Sequence, residues 1–281
     1  MIARVKVNGI EIAYESFGTP GARPLLLVMG LGAQLIHWDD AFCLLLAEQG
    51  HHVVRFDNRD AGLSTHLREY GQPRLGGAPP YLLDDMADDA AGLMDALGWA
   101  AAHVVGASMG GMIAQALAIR HPGRVLSLTS IMSTPGPQAA PPTPAARAVL
   151  LATPPAGREE AIARSQAAWA VIGSPGFEPD RARIADVAGR AFDRCFDPAG
   201  TARQLAAIMA SGDRTEGLRG LGVPALVVHG EADQLVPLAG GLATAEAIPG
   251  ARLLTFPGMG HDLPRPLWPH LVAAITRLTA G

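Results

Sequence analysis

Apolar and polar residues alternate at the start of the chain, on either side of Asn8-Gly9. Alternation with a period of two predicts strands, and an Asn-Gly pair favours a two-residue turn between them. The segment therefore predicts a β-hairpin rather than a signal peptide. The apolar run from Leu25 to Met29 is unbroken. Such a run is typical of a strand that is buried on both faces.

Strand and helix patterns then take turns along the chain. The sequence predicts further strands at 52–56, 103–105, 125–131, 225–229 and 252–256, and helices at 39–49, 81–97, 109–121, 238–248 and from about 267. Regular alternation of this kind predicts an α/β fold with a mostly parallel central sheet and helices on both of its faces.

The alternation stops in the middle of the chain. Residues 134–157 contain seven prolines, so they cannot form one regular element. Three helix-like segments follow, at 158–172, 180–196 and 198–211, and their apolar faces exceed what an isolated surface helix exposes. We therefore expect residues 134–214 to form a mobile helical cap, inserted into one core domain made of residues 1–133 and 215–281.

Composition narrows the function classes. The formal net charge is −4 and the sequence has no block of lysine or arginine, so nucleic acid is not expected as a partner. The longest apolar run, residues 25–36, is broken by glycines and is too short to span a membrane. The chain has two cysteines, far apart in sequence, which favours a reduced, cytoplasmic protein. The sequence leaves a homodimer open.

One serine has an unusual setting. The predicted strand at 103–105 runs into Gly106-Ala107-Ser108-Met109-Gly110, and a predicted helix follows. This strand–turn–helix context with the pattern G-x-S-x-G indicates a nucleophile that is held above the C-terminal edge of the sheet. A phosphate-binding loop is the alternative, but the sequence has neither of the glycine-rich patterns that such loops require. Ser108 is therefore the candidate nucleophile.

A serine nucleophile needs a base, and the base needs an acid that orients it. For a serine in this type of turn, the acid and then the histidine follow in the chain. His261 lies in the turn "PGMGHD" after a predicted strand, whereas His270 lies in the predicted terminal helix. The loop "GEADQLVP" offers Glu231 and Asp233, of which Asp233 is further from the strand. The candidate triad is Ser108, Asp233 and His261.

Acyl transfer also requires two N–H donors for the tetrahedral oxygen. One is expected from Met109, directly after the nucleophile, and the other from the loop "MGLG" after the first buried strand, where we assign Leu31. Gly30 permits the turn there. We expect Gly30, Met132 and Trp169 to contribute to the substrate pocket.

These blocks together resemble a known family. "VMGLG", "FDNRDAGLS", "GASMGG", "GEADQLVP" and "PGMGHDLP" occur in the order of the signature blocks of the α/β-hydrolase superfamily. Within it the chain is most similar to bacterial esterases of the aclacinomycin methylesterase type, which carry "VMG" where many relatives have "HG". The resemblance implies a cofactor-free hydrolase with a helical cap, in which Ser108, Asp233 and His261 match the triad positions.

Residues 57–60 resemble catalytic groups, and the aspartates at 84, 85, 88 and 89 resemble a metal cluster, but each set has a simpler interpretation. Residues 57–60 follow a strand and are expected to form a hydrogen-bonded turn that braces the neighbouring loops. Asp84, Asp85, Asp88 and Asp89 lie near a helix start, where carboxylates suit the helix dipole, and are expected to be solvated. No metal or cofactor is therefore expected.

The sequence thus predicts a serine hydrolase that cleaves small-molecule carboxylic esters, a carboxylesterase that resembles the methylesterases. A cofactor-free perhydrolase or haloperoxidase, a lactonase and a C–C bond hydrolase stay open, because they use the same triad. A ligand-binding protein on a hydrolase scaffold would not need all three groups.

Overall fold

The computed structural model describes residues 2–73 and 78–280. Eight strands form one sheet: β1 (Ala3–Val7), β2 (Ile10–Phe17), β3 (Arg23–Val28), β4 (His51–Phe56), β5 (Ala102–Ala107), β6 (Val125–Ile131), β7 (Ala225–Gly230) and β8 (Arg252–Phe256). Their order is β1-β2-β4-β3-β5-β6-β7-β8. The pairings along this order from β4–β3 to β7–β8 are all parallel. The first two strands form the predicted hairpin, with both turn residues at positive φ.

Ten helices accompany the sheet in the described residues. They are α1 (Asp40–Glu48), α2 (Leu83–Ala96), α3 (Met109–Arg120), α4 (Pro144–Leu150), α5 (Arg158–Ile172), α6 (Arg181–Arg194), α7 (Pro198–Ala210), α8 (Thr215–Arg219), α9 (Leu238–Ala247) and α10 (Trp268–Thr279). Short 3-10 turns lie at Leu35–His37, Arg68–Tyr70 and Arg265–Leu267.

The core lies on both faces of the sheet. Along β3, Leu26 and Val28 pack into one apolar cluster with α2 and α3, while Leu25 and Leu27 pack into a second cluster with α1 and α10. Successive side chains of a strand point to opposite faces, so an unbroken apolar run is what a doubly covered strand requires. The predicted α/β-hydrolase fold, with a mostly parallel sheet between two helical layers, is confirmed.

The segment between β6 and β7 is helical, from α4 to α8. The sequence missed two short helices here, α4 within the proline-rich stretch and α8 after α7. Pro144 occupies the first turn of α4, where its missing N–H has no acceptor to lose, and the hydroxyl of Thr143 accepts from Ala146 N–H. Prolines therefore start this helix instead of preventing it.

One expectation about the acidic residues of α2 is wrong. Asp89 is not solvated: it is 1% exposed and pairs with the Nε of Arg59 at 2.6 Å. The amide of Asn8 also donates to it, at 2.9 Å. The helix presents this carboxylate to the core, and a guanidinium from the loop after β4 compensates it.

Within residues 2–73 and 78–280, no helix combines the length and apolar character that a membrane crossing needs. Both cysteines, Cys43 and Cys195, are free thiols.

Candidate active site

Ser108 lies in a strained turn between β5 and α3. Its backbone has φ 57° and ψ −122°, a region that residues with a Cβ seldom adopt. A Cβ on Gly106 would lie 2.1 Å from the carbonyl oxygen of Gly110, and a Cβ on Gly110 would lie 2.1 Å from that of Val28. Both positions therefore require glycine, which explains the spacing in the sequence.

The structure brings the three predicted triad residues together. The Oγ of Ser108 lies 2.9 Å from Nε2 of His261, and Nδ1 of His261 lies 2.7 Å from Oδ2 of Asp233. Asp233 and His261 are each 6% exposed, whereas Ser108 is half-buried. The three residues come from loops after β5, β7 and β8, at the same edge of the parallel sheet.

The hydrogen bonds fix which nitrogen of His261 carries the proton. The other oxygen of Asp233, Oδ1, accepts from the N–H groups of Leu235 and Val236, both at 2.9 Å. An ionised Asp233 can only accept, so Nδ1 of His261 must donate to it. Nε2 is then the acceptor for the Ser108 hydroxyl, which is the tautomer that a general base needs.

The other histidines near the carboxyl end of the chain are arranged differently. His229 is fully buried, and its Nε2 donates to the carbonyl of Val236 at 2.7 Å. Burial lowers the pKa of His229. His270 is exposed on α10.

Backbone N–H groups are available where the sequence predicts them. Met109 is the first residue of α3, and the described part of the chain provides no acceptor for its N–H or for that of Leu31. Gly30 is next to the nucleophile, since a Cβ built on it would lie 3.1 Å from Cβ of Ser108. The positive end of α3 points to the same place.

The loop after β3 is held by residues that the sequence analysis did not assign to the site. The amide of Asn58 donates to the carbonyl of Met29 at 2.9 Å, and Oε1 of Gln204 accepts from Gly32 N–H at 2.8 Å. Asp57 accepts from Leu35 N–H at 2.6 Å. The predicted bracing turn after β4 thus supports the loop that carries Leu31. Gln204 is on α7, far from Gly32 in the sequence, and no local sequence pattern indicates a contact between residues that far apart.

Several buried charges join this turn to the inserted helices. Arg194 pairs with Asp57 at 2.9 Å, and Arg203 pairs with Asp60 at 2.7 Å. Arg203 is 1% exposed. Charges at such depth are tolerated only when they are paired, so these contacts tie α6 and α7 firmly to the core.

One group of side chains has metal-like spacing among the described residues: Asp60, His66 and Asp197. Their carboxylates already serve as acceptors, because Arg203 contacts both Asp60 and Asp197. The hydroxyl of Tyr81 and the N–H of Leu67 also donate to Asp60, both at 2.8 Å. The group is therefore an ion-pair network between the core and α7.

A cavity of about 620 Å³ lies between the core loops and the inserted helices. Leu31, Gly32 and Gln34 line it from the core side, and Phe192, Cys195 and Leu205 line it from α6, the following turn and α7. The three residues predicted for the pocket, Gly30, Met132 and Trp169, are not among the described residues that line this cavity. Met132 packs in the second core cluster, and Trp169 is half-buried on α5. Their assignment to the pocket stays a prediction.

Known protein families and individual proteins are similar to this chain over most of its length. A family model described as the alpha/beta hydrolase fold matches residues 23–173, and one described as TAP-like protein matches residues 206–266. Rhodomycin D methylesterase DauP of Streptomyces sp. (strain C5) is 31% identical, over 93% of this chain and 92% of its own length. The bifunctional esterase/perhydrolase DCH of Acinetobacter calcoaceticus is 27% identical, over 92% of this chain and 91% of its own.

A similar solved structure is the enol-lactonase from Burkholderia xenovorans LB400, with a TM-score of 0.78 and 25% identity over 99% of this chain and 100% of that one. The first family model covers more than half of the chain, and the relatives match it nearly from end to end. The chain belongs to the α/β-hydrolase family and is a hydrolase.

Proposed function

We propose that this protein is a serine hydrolase of carboxylic esters, and that Ser108, His261 and Asp233 are its catalytic triad. The observation that carries the proposal is the continuous chain of hydrogen bonds from Asp233 through His261 to Ser108, with lengths of 2.7 and 2.9 Å. The relatives named esterase or methylesterase support esters as the substrate class.

In the acylation step, the Oγ of Ser108 attacks the ester carbonyl carbon while Nε2 of His261 takes the hydroxyl proton. The N–H groups of Met109 and Leu31 bind the negative oxygen of the tetrahedral intermediate. Each such donor lowers the barrier by about 3 kcal/mol. His261 then gives its proton to the departing alkoxide, so the alcohol leaves and Ser108 carries the acyl group.

In the deacylation step, His261 removes a proton from water, which attacks the acyl carbon. The bond from that carbon to the Oγ of Ser108 then breaks, Oγ takes the proton back from His261, and the acid leaves. Asp233 stays ionised through both steps and stabilises the imidazolium form of His261. Residues 134–214 act as a cap in this proposal, because the cavity next to Leu31 has one wall made by α6 and α7.

The decisive experiment compares the wild-type protein with Ser108→Ala on a p-nitrophenyl ester. The variant is expected to fold and to lose about 10⁶-fold of kcat. A fluorophosphonate probe is expected to add its mass to wild-type Ser108 and not to the variant. Ester turnover in the variant that stays near the wild-type rate would refute the proposal.

Perhydrolysis and lactone hydrolysis are second candidates, since relatives are named esterase/perhydrolase and enol-lactonase. Both reactions use the same acyl-enzyme and differ in the substrate or in the nucleophile that releases it. Bromination in the presence of peroxide and acetate, and hydrolysis of a lactone panel, are to be compared with ester turnover. The largest kcat/KM identifies the preferred reaction.

A further inference from the structure

The connection between α5 and α6 lies against the loop that carries His261. His261 N–H donates to the carbonyl of Ile172 at 2.7 Å, and Gly176 N–H donates to the carbonyl of Gly258 at 2.9 Å. We call residues 172–176 the strap. The strap belongs to the inserted segment, yet it bonds directly to the backbone of the proposed base.

The two segments approach so closely that side chains are excluded between them. A Cβ on Gly260 would lie 2.2 Å from the carbonyl oxygen of Gly173, and a Cβ on Gly176 would lie 2.8 Å from Cα of Gly258. Contacts under 3.0 Å require the backbone to move. The strap and the His261 loop therefore have one well-defined arrangement.

Ser174 is the side chain at the centre of this contact. Its hydroxyl accepts from Gly260 N–H at 2.8 Å and donates to Oδ1 of Asp262. Gly260 and Asp262 are the residues before and after His261. One hydroxyl thus links the residues on both sides of His261. It acts as an acceptor in one bond and as a donor in the other, so the two bonds do not compete.

We propose that Ser174 is a positioning residue for His261, through which the inserted segment sets the place of the imidazole between Ser108 and Asp233. The proposal rests on the proposed triad. Its physical basis is the short distances on either side of the ring, because a misplacement of about 1 Å lowers a rate by about 100-fold. Losing the hydroxyl leaves Gly260 N–H and the Asp262 carboxylate without their shared partner.

The test measures kcat per competent active site in Ser174→Ala. Titration with a fluorophosphonate counts the sites that react, so a loss of folded protein is separated from a slower site. We expect kcat per site to fall about 10-fold or more on a small ester, with KM changed less than about twofold. Ser165→Ala on α5 is the matched control, because within the described residues that serine makes no hydrogen bond to the His261 loop, and it is expected to keep the wild-type rate.

Asp262 supplies an independent arm of the test. In Asp262→Asn the amide oxygen still accepts from Ser174, so this variant is expected to keep at least about fivefold more of kcat than Asp262→Ala. The double variant Ser174→Ala with Asp262→Ala is expected to be no slower than the slower single variant, because Ser174→Ala already removes the hydroxyl–carboxylate bond that Asp262→Ala removes. If Ser174→Ala does not fold, the comparison of kcat between Asp262→Asn and Asp262→Ala tests the positioning role.

A Ser174→Ala protein whose kcat per site lies within about twofold of the wild type would overturn the positioning role, as would equal losses in Asp262→Asn and Asp262→Ala. Wild-type protein that neither reacts with the probe nor cleaves esters would instead overturn the proposed function. The two failures are therefore distinguishable.

Discussion

Asp233 uses both carboxylate oxygens inside the protein. Oδ1 accepts from two backbone N–H groups of its own loop, and Oδ2 accepts from His261. The loop bonds hold the carboxylate in place, and the remaining oxygen fixes the tautomer of the imidazole. The side chain therefore matters to catalysis through its orientation and its charge, and not only through its presence.

Asp233→Asn is expected to lower kcat about 10⁴-fold while the protein stays folded. The amide oxygen would keep the bonds to Leu235 and Val236, so its NH₂ group would face His261. Nδ1 must then accept, which leaves Nε2 protonated toward Ser108 and unable to act as a base. Ester turnover and urea unfolding measure the two quantities separately, and a loss below about 10-fold would contradict this role.

At the level of single residues, the sequence identified what local patterns mark. Ser108 has flanking glycines, and Asp233 and His261 each follow a recognisable strand, so all three were predictable and the structure places them within hydrogen-bond distance. Asp89, Gln204 and Ser174 were not. Their partners are far away in the chain, and only the fold shows that Asp89 is a buried ion-pair partner instead of a solvated charge.

The inserted helices are attached to the core unevenly. Ion pairs fix α6 and α7 through Arg194 and Arg203, and the strap fixes the end of α5. The expected mobile cap is therefore a proposal that applies best to α4 and the residues after it, where the exposed Pro154 also borders the cavity. Apolar faces on α6 and α7 predicted a packed insertion, but they could not tell which side chains face the cavity.

Phe192→Ala is expected to change substrate selection. Phe192 lines the cavity and stacks on Phe196, with 4.8 Å between the ring centroids. Removing its ring therefore enlarges the cavity on the α6 side. The ratio of kcat/KM for a bulky ester to that for a short ester is expected to shift about threefold or more, since one apolar contact changes discrimination by about 1 kcal/mol or more.

Met209→Ala is the control for that measurement. Met209 is also an apolar residue of the insertion, but it is 62% exposed on α7 and does not border the cavity. Its substitution is expected to leave the ratio unchanged. The same ratio in wild type and Phe192→Ala would show that this wall does not contact the ester.

For the molecule as a whole, buried histidines on several strands set a limit on acid stability. His51 is held by Leu46 and Thr279, His103 by Ser127 and His229 by Val236. Burial lowers the pKa of each, and that of His103 from 6.5 to about 4. The sequence showed these histidines, but not their depth, which depends on how the helices cover the sheet.

These lowered pKa values predict that the free energy of unfolding falls as the pH drops below 6.5. In that range the unfolded chain binds protons that the folded protein does not, so protonation favours the unfolded state. For His103 alone the expected loss between pH 7 and pH 5 is about 2 kcal/mol. Most carboxylates titrate below this window, which isolates the histidine contribution.

Urea unfolding of the wild type and of His103→Asn at both pH values tests this. The asparagine keeps a polar group for Ser127 but cannot gain a proton, so the variant is expected to lose about 2 kcal/mol less than the wild type between pH 7 and pH 5. His51 and His229 remain in both proteins, so the variant still loses some stability in acid. Losses that agree within about 0.5 kcal/mol would mean that His103 accepts its proton in the folded protein as readily as in the unfolded chain.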